Sequence, residues 1–185
     1  MKALKSLLTL ALSATVITAA VAQKEATKMV GGAAMYPSKN IVANAVNSAD
    51  HTTLVAAVKA AGLVETLQSA GPFTVFAPTN AAFDKLPAGT VATLLKPENK
   101  GTLTAVLTYH VVAGKYDAKS ILKLIKDGKG KATLKTVQGG TLTATTDGKT
   151  VMLQDEKGGM STVTIADVFQ SNGVIHVIDS VVLPK

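Results

Sequence analysis

The sequence holds three histidines, His51, His110 and His176, and no cysteine. Ser171, His176 and Asp179 have the residue types of an acyl-transfer triad, but such a triad is made by geometry and not by nearness along the chain. On an extended segment, side chains at 176 and 179 face opposite ways. No Gly-x-Ser-x-Gly elbow surrounds any serine. A His-Glu-x-x-His helix and a phosphate-cradling glycine loop are also missing. The histidines are not paired at metal-ligand spacing, and without cysteine there is no thiol nucleophile, thiolate metal site or haem attachment. The chain is therefore expected to be non-catalytic and to carry no metal or cofactor.

The same residues have structural uses. His110 falls in phase with Leu103 and Leu107 on one side of an expected helix, where a half-buried ring would bond to its neighbours. Tyr109 has an apolar body and a polar tip, which suits an interface or a core edge. His176 lies in Val174-Ile-His-Val-Ile178, apolar on both sides, so it is expected on a strand covered on both faces with its ring hydrogen-bonded. Asp167 is expected at a strand end near a turn.

Charge is the other chemical feature. All 19 basic residues are lysine, against 12 acids. Between Lys115 and Lys135 the chain carries seven lysines (115, 119, 123, 126, 129, 131, 135) and two acids, Asp117 and Asp127, a surplus of +5. The rest of the chain beyond residue 22 balances. Lys119, Lys123 and Lys126 share one arc of a helix expected from Asp117 to Lys126, with Ala118, Ile121, Leu122 and Ile125 opposite. Such a stripe attracts anionic polymers and surfaces with steep salt dependence. A nucleic-acid partner is not expected, since arginine forks are absent and aromatics make up 4% of the chain.

The N-terminus reads as an export signal. Lys2 and Lys5 precede an apolar run from Leu7 to Val21, which ends in the small-x-small pattern Ala20-Val21-Ala22. The run is too short for a membrane span. Cleavage is expected before Gln23, and no Cys follows for a bacterial lipid anchor. A secreted protein is expected, periplasmic if the source has an outer membrane. No second long apolar run follows, so the chain is not expected to span a membrane.

Residues 23–37, punctuated by Gly31-Gly32 and Pro37, read as a flexible N-terminal segment, with one domain over 38–184. Helices are expected at about 40–46, 52–61, 63–70, 82–87, 89–95 and 99–109, with a strand at 72–76 among them. After Gly130 the pattern turns to strands at 131–137, 141–146, 149–154, 161–166 and 174–182. Asp147-Gly148 gives a strong hairpin signal. Helices first and an antiparallel sheet later argue an α+β fold.

Three segments together resemble a known family. They are Thr74-Val-Phe-Ala-Pro-Thr-Asn-Ala-Ala-Phe-Asp-Lys-Leu-Pro87, Leu107-Thr-Tyr-His-Val-Val-Ala-Gly114 and Ser171-Asn-Gly-Val-Ile-His-Val-Ile-Asp-Ser-Val-Val-Leu-Pro184. In this order and spacing they are similar to the signature motifs of fasciclin domains, and the short single-domain chain is similar to bacterial members. The resemblance implies N-terminal helices packed on an antiparallel β-wedge. It also implies an adhesion or matrix-interaction module whose partner is a cell-surface or matrix protein or glycan, with weak self-association. From animal members it carries a partner-binding role onto Tyr109 and His110, and onto Asp167-Val168, where valine stands in place of isoleucine. The alternative is an envelope protein that binds an anionic glycan or lipid through Lys119, Lys123 and Lys126.

Overall fold

A computed structural model describes residues 26–185. The export signal expected over 1–22 lies outside them. The described residues open on a hairpin, β1 (Lys28–Val30) and β2 (Ala33–Met35), joined by Gly31-Gly32, both at positive φ (56° and 75°). That backbone is what a two-residue hairpin turn needs, and glycine adopts it without strain. Val30 and Met35 are buried. The flexible segment expected over 23–37 is therefore corrected over this part. The two glycines that looked like breakers make a turn, and the residues on either side of it pack into the core.

Short helices follow: α1 (Ile41–Ala45), α2 (Thr52–Ala61) and α3 (Val64–Gln68). Side chains of Asn40, Thr79 and Asp117 each cap the helix that begins after them, accepting an otherwise orphaned N–H. Gly62 ends α2 in the left-handed conformation. After β3 (Phe73–Pro78) come α4 (Asn80–Asp84), α5 (Thr90–Leu94), α6 (Lys100–Tyr109), β4 (Val111–Ala113) and α7 (Ala118–Asp127). The chain ends in β5 (Lys131–Lys135), β6 (Thr141–Thr146), β7 (Val151–Gln154), β8 (Met160–Gln170) and β9 (Gly173–Ile178).

These strands form a seven-stranded sheet in the order β4-β3-β9-β8-β7-β6-β5. It is mostly antiparallel, as expected, but β3 and β9, the second and third strands from the β4 edge, run parallel. A parallel pair covered on both faces needs apolar side chains on both, so Val75–Ala77 and Val174–Ile178 are apolar on both faces, with His176 the one polar residue among them. Val75, Ala77, Ile175 and Val177 enter a core shared with α1, α2, α3 and α6. Phe76 and Ile178 enter a second core with Ile121 and Ile125 of α7 and the inner residues of β5–β7. The sheet thus divides two cores, and α7 closes the second. An isolated bridge, Val112 to Thr136, brings the two edge strands β4 and β5 together at one end.

Two strand ends differ from expectation. The strand expected at 161–166 continues to Gln170 across an irregularity at 165–168, where Asp167 has φ 56°. One residue in a left-handed conformation breaks the period-two pattern while pairing continues on both sides. The last strand stops at Ile178, because the Asp179 carboxylate turns back to accept the Thr162 N–H at 2.8 Å.

Candidate functional site

Tyr109 and His110 end α6 and begin the turn into β4, and both side chains lie inside the protein, 0% and 2% exposed. The Tyr109 hydroxyl donates to the Thr141 carbonyl at 2.6 Å and accepts the Glu156 N–H at 3.1 Å. It thereby ties α6 to β6 and to the β7–β8 turn. His110 Nε2 accepts the Val182 N–H at 3.2 Å, so the ring proton resides on Nδ1, which donates to the Val106 carbonyl at 2.8 Å. Burial pushes the His110 pKa down to about 4, against a smaller upward pull from the Val106 carbonyl and Asp155. The ring is a neutral clasp between a helix end and the C-terminal segment. The pair expected as a contact surface is thus an internal joint. Replacing Tyr109 with Phe leaves the Glu156 N–H and the Thr141 carbonyl without this partner and is expected to cost about 1–3 kcal/mol. Urea unfolding checks it, and an unchanged midpoint would refute the hydroxyl's bridging role.

Asp167 and Val168 divide similarly. Val168 is buried, 1% exposed, opposite Ile175 in the sheet. Asp167 stays partly exposed, and its carboxylate accepts the Ala118 N–H at 2.7 Å, at the first residue of α7. With Asp117 accepting the Ser120 N–H, two carboxylates stand at the positive end of that helix.

His176 joins this group from below. Its Nδ1 accepts the Asp167 N–H at 3.3 Å, and its Nε2 donates to the Tyr116 carbonyl at 2.8 Å, the tautomer opposite to that of His110. The ring stacks on Phe76 with centroids 5.7 Å apart. Both nitrogens serve backbone groups, so His176 has no lone pair or proton to lend a serine. Asp179 is engaged elsewhere, with Thr162 and in an exposed ion pair with Lys85 at 3.5 Å. Ser171, His176 and Asp179 make no triad. Among the described residues no group of three His, Asp or Glu side chains is placed to hold a metal.

Lys119, Lys123 and Lys126 lie on the exposed arc of α7 and Ile121 and Ile125 are buried, as the periodicity predicts, but Leu122, expected beside them, is exposed. Lys123 also pairs with Asp127 at 3.0 Å, one helical turn on. Beside α7 runs a groove of about 420 Å³, lined in part by Val112, Tyr116, Leu124 and Lys135.

Two residues outside these expectations organise the site's surroundings. Asn172, read as a turn residue, is a buried hub: its side chain accepts the Ile41 N–H and donates to the Leu67 and Ser69 carbonyls. His51 lies buried in the helical half, with Nδ1 2.8 Å from the Ser48 hydroxyl.

The fold recurs in a known structure, and the sequence matches a known family. The fasciclin-domain model matches residues 49–184. The chain belongs to the fasciclin-domain family. A protein of Synechocystis sp. is 48% identical over 171 residues, covering 90% of this chain and 87% of its own length. Immunogenic protein MPB70 of Mycobacterium bovis is 39% identical over 145 residues, 76% of this chain and 66% of that one. Human periostin is 33% identical over 135 residues, 73% of this chain but 15% of periostin. A fasciclin-domain pair from the insect cell adhesion molecule fasciclin I matches in structure with a TM-score of 0.69 at 18% identity, covering 78% of this chain and 51% of that one. The fold is thus the fasciclin fold, in a family of generally non-catalytic adhesion modules. Among the described residues no helix is long and apolar enough to cross a membrane.

Proposed function

We propose that this fasciclin domain is a secreted, non-catalytic adhesion module that engages a cell-surface or matrix protein or glycan through its basic surface. The observation that carries the reading is the exposed arc of Lys119, Lys123 and Lys126 on α7, in a segment holding the whole surplus charge of the chain beyond residue 22. The Tyr-His joint supports this surface indirectly, as scaffold and not as contact. Asp167 supports it by fixing the start of α7. A partner of acidic character follows from the sign of the charge.

The test is retention of the purified domain on immobilised envelope or matrix extract across a salt series. Binding is expected to weaken steeply as salt rises, since exposed charges are screened within about 10 Å at 0.1 M. Changing Lys119, Lys123 and Lys126 together to Gln is expected to abolish retention and leave the thermal midpoint in place. Retention by the folded triple variant equal to that of the parent would overturn the reading.

The same charge favours a second reading, an envelope protein for an anionic glycan or lipid. The groove beside α7, with Lys135 on its wall, gives that ligand a concave seat. Competition by a soluble sulfated polysaccharide or by anionic vesicles separates the two sources. Neither competing would leave an acidic protein as the partner.

A further inference from the structure

The sheet ends in two edge strands, β4 and β5, which join at the isolated bridge from Val112 to Thr136. Away from that bridge the edge of β5 is open, and the ladder shows which of its groups point outward. Thr136 donates its N–H to the Gly140 carbonyl on the β6 side, and Val137 donates to the Val111 carbonyl on the β4 side. Successive residues of an antiparallel strand turn their backbone groups to opposite edges, so Thr133 and Lys135 share the side of Val137. Thr141, opposite Lys135 in the ladder, turns the other way, and its N–H accordingly reaches the Glu156 carboxylate. Among the described residues no backbone group pairs with the N–H and carbonyl of Thr133 or with the N–H of Lys135. At the far end, Gly128 lies so close to the Lys131 carbonyl that a Cβ there would overlap it, which bounds the open stretch.

This stretch forms one wall of the groove of about 420 Å³ beside α7, whose lining includes Thr133 and Lys135 of β5 together with Ala113, Tyr116 and Leu124. The two faces of the strand differ. Ala132 and Leu134 point into the second core, while Lys131, Thr133 and Lys135 are exposed. Leu124 belongs to α7, the helix that covers the core side, and is left 39% exposed at the groove. A peptide backbone offers, at strand spacing, both an acceptor for the open N–H groups and a donor for the open carbonyl. Lysines alternating along an edge repel a second copy of that edge and favour an acidic strand opposite them. We propose that the open edge of β5 takes an extended segment of a partner protein as an added strand, acidic on its solvent side and apolar on its core side. Its backbone pairs with Thr133 and Lys135, its acids meet Lys131 and Lys135, and its apolar side chains cover Leu124 and Tyr116. Main-chain hydrogen bonds then supply affinity and alternate side chains supply specificity. This rests on the acidic partner proposed above and adds how that partner is held.

The probe is the peptide acetyl-Glu-Val-Glu-Val-Glu-amide, titrated into the nitrogen-labelled purified protein and followed by amide NMR. It is expected to shift the Thr133 and Lys135 amides saturably at about millimolar concentrations and to slow their hydrogen exchange. The same residues in blocked order, Glu-Glu-Glu-Val-Val, are expected to bind severalfold more weakly, because alternation is lost. Thr133→Pro removes the edge donor at a position where proline is tolerated, on an edge strand with its N–H towards solvent, and is expected to abolish binding. Lys131→Glu combined with Lys135→Glu tests the proposal independently of that variant's folding. It is expected to weaken the acidic peptide by about fivefold, the loss of two exposed ion pairs, and to favour Lys-Val-Lys-Val-Lys instead.

No saturable shift at Thr133 and Lys135 with the alternating peptide would overturn the proposal. So would equal binding of the blocked peptide, or full affinity for the acidic peptide in the charge-reversed variant. Slowed exchange at Thr133 with a soluble sulfated polysaccharide but not with the peptide would place a glycan in the groove and overturn the added strand. Changing Lys119, Lys123 and Lys126 to Gln separates this proposal from the adhesion reading. That variant is expected to lose retention on extract and still bind the peptide at Thr133. Retention kept by the triple variant overturns the adhesion reading alone, and a parent that is retained but ignores the peptide overturns the added strand alone.

Discussion

Acidifying the protein from about pH 7 to about pH 4.5 is expected to remove about 2 kcal/mol of folding stability through His110 alone. The folded ring titrates near about 4, against an ordinary histidine value of 6.5. Burial is the main cause, because the charged ring loses water and both nitrogens are already committed to the backbone. Between these two values the unfolded chain binds a proton that the folded chain does not. Stability is therefore complete above pH 6.5 and falls as pH drops from there towards 4. His51 and His176 are displaced the same way, each mainly by burial. At His176 the Tyr116 carbonyl, Asp167 and Asp117 oppose the displacement in part. At His51 the Ala77 backbone and Asp50 do so. All three histidines thus slope the stability profile in one direction. Asp117 is held below the usual carboxylate range by its bonds to Ser120, so the stability it adds is lost only as pH falls below that range.

Urea unfolding at several pH values, with the slope read as protons bound, measures this. A domain typically has 5–15 kcal/mol to lose, so the effect is a large share of the whole. His110→Gln removes the titrating group, and its profile is expected to be shallower by about one proton across this window. A flat profile for the parent between pH 7 and 5 would contradict the neutral state of the buried His110 ring.

How much of this the sequence discloses depends on whether a feature is local. The helix start at Asp117, the Asp147-Gly148 turn and the amphipathic α7 are set by neighbours within a few residues and are legible in the sequence. The parallel pairing of β3 with β9 joins residues about a hundred positions apart, as in Phe73 opposite Gly173. Nothing local distinguishes a strand buried beside a parallel neighbour from one beside an antiparallel neighbour. The apolar residues on both sides of His176 in Val174–Ile178 signal cover on both faces, and the ring is buried there. The β1–β2 hairpin was hidden for another reason. Its strands are three residues each and so too short to show a period, although Gly31-Gly32 carried the turn signal. Tyr109 and His110 show a third kind of limit. Their burial follows from partners at 141, 156 and 182, which only the fold assembles.

Asn172→Ala is expected to destabilise the domain by about 4 kcal/mol, more than removal of the Tyr109 hydroxyl. The side chain spans three elements from inside the β8–β9 turn. It accepts the N–H of Ile41 at 3.0 Å, one of the orphan donors at the start of α1. It donates to the carbonyls of Leu67 and Ser69 at 2.8 Å each, at the end of α3. Alanine leaves all three backbone groups without this partner in a place that water does not easily reach, and such groups are costly when unmet. The next residue compounds the constraint. A Cβ at Gly173 would overlap the Phe73 carbonyl oxygen and lie 2.9 Å from its carbon, at the first rung of the parallel pair. Gly173→Ala must therefore part β3 from β9, and its loss is expected to exceed that of Asn172→Ala. Thermal and urea unfolding rank the two, and a loss below about 1 kcal/mol for Asn172→Ala would show that the three bonds are not worth their geometry. Neither residue reaches the exposed lysines of α7. Partner binding per folded molecule is expected to survive Asn172→Ala below its unfolding temperature and to vanish in the stable lysine triple variant. If binding instead followed Asn172 with the domain still folded, the contact surface would lie at the β8–β9 turn and not on α7.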